Sequence, residues 1–341
     1  MNPLFQRIFR CESVDELSEA AIALPHLQGR LVDVGLAGPQ QGLVVTAVID
    51  ALTQRLIELG EAHLGPAPGA YAWLASGSQG RREQTFHTDQ DNALILADDQ
   101  PRGADAWYQA LGTYVTDGLA ACGISHCPGG VGPQHAEWRR SVSGWRKAIT
   151  AVIRTPGVRE VMVASHYFDW RCIHGEASLF PGIRRAAADA AASSSLFLAR
   201  VEQNALRGEA PLGAFRRLRV KRRAPDRGTF NLKQQAMLPL SQLALAYALK
   251  AGVVATNTVD RITAAAAAGL IPRAQARDLQ LALETVTGLR ARFIVEAFRR
   301  GTAATNRIDP AVLSELELAH LKSSLGAICH AQRALRQGHA L

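Results

Sequence analysis

Two aspartates separated by one residue stand directly before a short apolar run in this 341-residue chain. Asp89 and Asp91 precede residues 93–96, which read Ala-Leu-Ile-Leu. In an extended segment, residues two apart point to the same side and lie roughly 6 to 7 Å apart at Cα. Two carboxylates on one face repel each other unless a cation lies between them, and Mg²⁺ prefers such oxygen ligands together with substrate phosphates. The pair predicts a metal–phosphate site of the two-metal kind, and the alternative is a solvated turn or an Asx-type cap.

A glycine-serine turn lies upstream of the aspartates. Gly77 and Ser78 follow the apolar residues 71–75, and Gly80 comes two residues later. Glycine lets backbone amides approach a phosphate, and a serine hydroxyl adds a hydrogen-bond donor. An ordinary strand-to-helix turn would explain this segment when taken alone. The turn and the Asp-x-Asp pair together are much rarer than either feature, so they favour a nucleoside triphosphate site.

These residues also resemble a known family. Gly77-Ser78, Gly80-Arg81 and Glu83, followed by Thr-Asp-Gln-Asp-Asn-Ala-Leu-Ile at 88–95, are similar to bacterial nucleotidyltransferases of the DNA polymerase beta superfamily that are related to the protein-PII uridylyltransferases. Later segments resemble the same family and its C-terminal helical domain, which is usually described as substrate-binding. They are 64–68, Trp138-Arg139 with Trp145, 168–171, Gly175-Glu176, 231–233, 238–240, 258–262, 306–310 and Leu313.

The resemblance implies a third carboxylate, for which Asp169 is the candidate. Such a residue would hold metal together with Asp89 and Asp91 and would draw the proton from the attacking hydroxyl. We place Asp169 at the end of an expected strand over 161–168, beside the strand that follows Asp91. The alternative for Asp169 is an ion pair with Arg171.

The resemblance also implies which residues hold the nucleotide. Gly77 and Ser78 would bind the β- and γ-phosphates, and Arg81 would contact phosphate as a nearby cation. The alternative for an arginine in such a loop is a solvated charge or an ion pair with Glu83.

The activity implied is a metal-dependent transfer of a nucleoside monophosphate from an NTP to an acceptor hydroxyl, with Mg²⁺ or Mn²⁺ as the metal. The resemblance points to a hydroxyl on a regulatory protein as the acceptor, and hence to signal transduction. The alternative is a non-catalytic nucleotide-binding regulatory module of the same fold. The three aspartates favour the enzyme, because a degenerate member would be expected to lose one of them.

The net charge of +8 means that the surface attracts anions. The densest basic run covers 216–223 with Arg227 just after it, and could steer an acidic partner, a triphosphate or RNA. Only Phe215 and Phe230 flank it, so base stacking is not indicated and a solvated hairpin edge is the favoured interpretation. Nucleic acid is therefore not an expected partner.

The cysteines and the apolar runs indicate the compartment. The five cysteines are scattered without a C-x-x-C pair, which argues against a disulfide framework and a zinc knuckle and predicts reduced core thiols. No uncharged apolar run approaches the roughly 20 residues that span a bilayer. We expect no membrane partner and a cytoplasmic location.

The elements that must position these residues form an α+β protein. Residues 1–66 predict N-terminal helices, and the resemblance implies that 67–182 form a polymerase-beta-like nucleotidyltransferase domain with a small mixed sheet. Within that domain we expect strands over 71–75, 93–96, 123–126 and 161–168, and helices over 105–121 and 136–153. Residues 183–341 predict a helical bundle, with helices over 184–206, 234–251, 258–268, 272–300 and 310–336. The resemblance implies that this bundle binds substrate.

Overall fold

The architecture is that of a computed structural model, which describes residues 3–208, 210–212, 217–223 and 225–337. Within the predicted basic run, Arg216 and the flanking Phe215 lie outside the described residues. The chain divides into two compact units. The first comprises Met1–Leu31, Gln41–Val152 and Val163–Ala187, and the second comprises Val32–Gln40, Ile153–Met162 and Ala188–Leu341.

The N-terminal segment is helical, as expected. Its longest helix is amphipathic, because Val45, Val48, Leu52 and Leu56 recur at three- and four-residue spacing and are all fully buried. The helices of this segment are α1 (Pro3–Arg10), α2 (Val14–Ala21), α3 (Ala23–Asp33) and α4 (Gly38–Leu64).

A four-stranded mixed sheet forms the middle of the first unit. Its order is β3-β2-β1-β4, with β1 antiparallel to both β2 and β4, and β2 parallel to β3. Trp73 of β1 and Leu94 of β2 are fully buried in the same core cluster as the apolar face of α4. The strands are β1 (Tyr71–Ala75), β2 (Asn92–Leu96), β3 (Arg139–Ser141) and β4 (Arg171–Gly175). This small mixed sheet between helical regions confirms the α+β class.

The helices around the sheet are α5 (Gly77–Gly80), α6 (Ala104–Ala121), α7 (Val142–Arg154), α8 (Val158–Asp169) and α9 (Pro181–Ala192). The strand expected over 161–168 is wrong, because this segment belongs to α8. Val161, Ala164 and Tyr167 are buried while Met162 is exposed. Burial therefore follows the helical period and not the two-residue period of a strand.

Two further expectations around the sheet need correction. Of the strand expected over 123–126, only Ser125 pairs, in an isolated bridge with Asp89. The helix expected over 136–153 begins only at Val142, because β3 occupies the preceding residues. Arg139 donates from Nε to Asp105 Oδ1 at 2.7 Å, across 34 positions of sequence, and from Nη1 to the nearby Pro133 oxygen, and these contacts hold the strand in place.

The second unit is dominated by helices. They are α10 (Ser195–Ala205), α11 (Leu238–Lys250), α12 (Thr258–Ala267), α13 (Arg273–Arg299) and α14 (Glu315–Gln337), with a π-helical turn over Lys233–Met237 and a two-stranded sheet of β5 (Phe230–Asn231) and β6 (Arg307–Ile308). The single helix expected over 184–206 is two helices, because Ser194 caps a new one by accepting from the Phe197 amide at 3.2 Å. Among the described residues, no helix is both long enough and apolar enough to cross a membrane.

Candidate active site

The predicted aspartate pair lies on one side of the segment that leads into β2. Asp89 and Asp91 are half-buried, whereas Gln90 and Asn92 are buried. The side-chain amide of Gln90 donates to the backbone oxygens of Thr116 and Ile124 at 2.9 and 3.0 Å. Asn92 Oδ1 accepts from Trp73 Nε1 at 3.0 Å. Because the intervening residues are anchored in the interior, the two carboxylates are left on the opposite, more open side.

The glycine-serine turn lies directly against the second aspartate. The Ser76 amide donates to the Asp91 backbone oxygen at 2.8 Å, and Gly77 has a φ of 54°. A Cβ added to Gly77 would overlap Asp91 Oδ2 and lie 3.3 Å from its Cγ. Both the left-handed backbone and the adjacent carboxylate therefore require glycine. The structure thus brings Gly77 and Asp91 together, although they are far apart in sequence.

Two serines flank Gly77 and differ in their surroundings. Ser76 is fully buried, and its hydroxyl lies 2.8 Å from His166 Nδ1. Ser78 is half-buried, and its hydroxyl lies 3.4 Å from that of Thr88. Of the two, only Ser78 has a side chain partly open to solvent.

Strand register places the third aspartate near the same end of the sheet. Ala75 of β1 pairs with Asn92 on one side and with Arg171 on the other. Asp91 precedes the first of these partners by one residue, and Asp169 precedes the second by two. However, β4 pairs with β1 and not with β2. We expected the strand near Asp169 to lie beside the strand that follows Asp91. This expectation is wrong, because β1 lies between β4 and β2.

Asp169 is buried in an ion pair with Arg81. Asp169 is 4% exposed, and Arg81 Nη1 donates to its Oδ2. Arg81 Nε also donates to Glu83 Oε2 at 2.9 Å. Burial lowers the pKa of the Arg81 guanidinium, but the charges of Asp169 and Glu83 outweigh burial and raise it above its ordinary value. The ion pair of Arg81 with Glu83, which was the alternative considered from the sequence, is confirmed. Arg81 was expected to contact phosphate, but its guanidinium lies between two carboxylates.

Arg171 does not pair with Asp169, contrary to the alternative considered from the sequence. Its guanidinium lies 2.8 Å from Asp50 Oδ2 on α4 and donates to the Gln79 backbone oxygen at 3.0 Å. Gln79 Nε2 donates to the same Asp50 carboxylate at 3.0 Å. The short helix α5 that follows Gly77 is thus held from β4 and from α4.

The loop after α5 contains an unusual backbone. Arg82 has a φ of 59° and is the sole non-glycine residue with positive φ in the part of the chain that the structure describes. Its side chain is exposed. Helix α4 approaches this loop closely, since a Cβ on Gly42 would lie 3.0 Å from the Arg82 backbone oxygen. Left-handed backbone is unfavourable for arginine, so the surrounding contacts must impose it.

Cys127 is a neighbour of Asp91 that sequence reasoning did not identify. Burial, and after it the charge of the neighbouring Asp91 carboxylate, raises the pKa of Cys127 to about 11. None of the five cysteines forms a disulfide: Cys11 and Cys122 are buried, and the other three are half-buried. The expectation of core thiols holds for the first two only, and Cys127 lies beside the aspartate pair. The signal in the sequence that could have identified Cys127 is its position directly after the expected strand over 123–126.

The described residues contain no preformed cluster of three or more His, Cys, Asp or Glu side chains that could hold a metal ion. A site that takes phosphate oxygens as further ligands needs fewer protein ligands, as is usual for Mg²⁺. Asp89 and Asp91 supply the hard carboxylate oxygens that such an ion prefers. Gly77 leaves open the space beside the second of these carboxylates.

Two comparisons with protein families agree with this geometry. Residues 23–159 match the model described as Putative nucleotidyltransferase DUF294. Residues 195–338 match the model described as Putative nucleotidyltransferase substrate binding domain. The chain belongs to this nucleotidyltransferase family. No curated protein matches the chain significantly. Its general role is nucleotidyl transfer, and an NTP is the expected substrate of that reaction.

Proposed function

We propose that the protein is a metal-dependent nucleotidyltransferase that moves a nucleoside monophosphate from an NTP to a hydroxyl of a regulatory protein, as the uridylyltransferases do. The observation that supports this best is the position of the Asp91 carboxylate against Gly77. A carboxylate pair and a glycine turn lie at one end of the sheet, where a metal and a triphosphate would each find their ligands.

Each residue has a separate task in this proposal. Asp89 and Asp91 hold Mg²⁺ or Mn²⁺, which neutralises negative charge that develops on the phosphates. Gly77 and Ser78 position the β- and γ-phosphates, the second through its partly exposed hydroxyl. Arg81 acts at a distance, because its ion pairs with buried carboxylates keep the turn in place.

The reaction balances without a further reagent. The acceptor oxygen forms a bond to the α-phosphorus as the bond from that phosphorus to the bridging oxygen breaks, and pyrophosphate leaves. The proton of the acceptor hydroxyl must be taken up by a nearby base, for which we propose Asp169. Its ion pair with Arg81 would have to open for this contact.

The proposal is tested by incubating the protein with Mg²⁺, each labelled NTP in turn, and a cell extract that supplies acceptors. We expect label on a protein band and release of pyrophosphate. Asp89→Asn and Asp91→Asn should each reduce both signals by at least about 100-fold, because each removes a metal ligand. Asp99→Asn is the matched control, since Asp99 is exposed in the loop after β2.

The control should retain full activity and all four proteins should unfold at similar urea concentrations. NTP binding without label transfer or pyrophosphate release would refute the enzyme and favour a nucleotide-binding regulatory module. Label on nucleic acid in place of protein would refute the proposed acceptor class.

A further inference from the structure

Six basic residues are concentrated within one short segment of the second unit. They are Arg217, Arg219, Lys221, Arg222, Arg223 and Arg227, and we call these six side chains the basic ridge. All six are exposed. The segment therefore presents a dense positive surface on the substrate-binding domain, within the residues that match that family model.

The backbone beneath the basic ridge is fixed by its apolar neighbours. Leu218 and Val220 alternate with the basic residues and pack against the core of the second unit. Leu218 also pairs with Leu212 in an antiparallel bridge, and Lys221 exchanges backbone hydrogen bonds of 2.8 and 2.9 Å with Thr229 and Gly228. Because Leu218 and Val220 are anchored at alternate positions, Arg217, Arg219 and Lys221 between and beside them are held toward solvent.

Few carboxylates neutralise this surface. Asp226 lies 3.6 Å from Lys221 Nζ and 3.1 Å from Arg307 Nη2, so one carboxylate serves two cations. Within the described part of the chain, Arg222 and Arg223 have no ion-pair partner. Adjacent like charges repel one another, and a polyanion that binds them removes that repulsion.

A groove adjoins the basic ridge through Leu212. It has a volume of about 500 Å³ and lies between α13 and α14. Leu212, Leu281 and Ala327 contribute apolar surface, while Asp278 and Arg333 contribute charge. Leu281 is 60% exposed, which is high for a leucine on a packed helix. The groove is large enough for an apolar side chain of a partner segment.

We propose that the basic ridge and this groove together dock the acceptor protein through an acidic segment that also contains an apolar side chain. This rests on the proposed function, because it assigns a binding face for that acceptor. Single-stranded RNA would need aromatic rings on which its bases stack. The aromatic residue next to the ridge in the described chain, Phe230, is 1% exposed, so the face lacks that platform.

Binding is tested on the full chain without NTP, by fluorescence anisotropy. The probes are labelled peptides of equal length, one of glutamates with interspersed leucines and one of glutamates alone, and a labelled oligouridylate. The leucine-containing peptide should bind most tightly and should weaken as ionic strength rises. Arg222→Glu with Arg223→Glu should weaken both peptides by about tenfold or more.

The matched control is Arg154→Glu with Arg159→Glu, which changes the net charge equally at exposed positions elsewhere. It should bind within about twofold of the wild type. Leu281→Ala should weaken only the leucine-containing peptide. Equal losses in the two double variants, or an absence of peptide binding, would overturn the proposal. Oligouridylate binding that is tighter than peptide binding and lost with Arg222 and Arg223 would identify a nucleic-acid surface instead.

Binding and catalysis are separated by design. The ridge double variant should still bind NTP with Mn²⁺ as tightly as the wild type, since none of its residues belongs to the proposed active site. If the wild type releases no pyrophosphate, that result counts against the proposed function alone. If it binds no peptide, that result counts against the docking face alone.

Discussion

Replacement of Gly77 by alanine should separate backbone strain from damage to the active site. Alanine at a φ of 54° costs about 1–2 kcal/mol of stability, because left-handed backbone crowds its Cβ. The same Cβ overlaps Asp91 Oδ2, while an ordinary contact is 3.4 Å or longer. The carboxylate must therefore move by about 1 Å, and a displacement of that size costs on the order of 100-fold in rate.

Gly35→Ala is the matched control for this variant. Gly35 has a φ of 68°, and an added Cβ there would meet nothing within 4 Å. Both variants should lose about 1–2 kcal/mol in urea unfolding. Only Gly77→Ala should lose about 100-fold in Mg²⁺-dependent pyrophosphate release and bind Mn²⁺ more weakly in the presence of NTP. Activity of Gly77→Ala within about twofold of the wild type, or an equal loss in Gly35→Ala, would refute the reasoning.

Two further variants test the carboxylate partners of Arg81 and Arg139. Asp169→Asn removes one of the carboxylates around Arg81 and leaves its ion pair with Glu83 in place, so it should cost roughly 1–3 kcal/mol, below the 3–5 kcal/mol of a fully orphaned buried charge. If Asp169 also holds metal, the variant should bind Mn²⁺ about tenfold or more weakly when NTP is bound. If the Mn²⁺ affinity is unchanged, the role of Asp169 is to anchor Arg81. Hydrogen bonds from Arg139 lower the pKa of Asp105, so their stabilisation is complete above its ordinary pKa and is lost as pH falls below that value. Urea titrations between about pH 4 and pH 2 should show this loss in the wild type and not in Asp105→Asn.

Local patterns in the sequence were sufficient for part of the fold and part of the site. The period of two around Asp89 and Asp91 predicted that they share a face, and burial of Gln90 between them confirms it. The strand before Gly77 was also predicted from a short apolar run, and the helix over 105–121 from the helical stretch that separates two such runs. In each case the signal lies within a few consecutive residues, because backbone geometry sets the side-chain period.

Contacts distant in sequence decided the rest. Residues 161–168 contain an apolar run that suits either a strand or a helix, and only packing in three dimensions selects the helix that ends at Asp169. The sequence identified Asp169 and Arg81 as candidates in separate roles. Their ion pair, across 88 positions of sequence, and the thiol of Cys127 beside Asp91 follow from how the sheet brings its strand ends together. No local period encodes such pairs, since they depend on strand order and not on spacing along the chain.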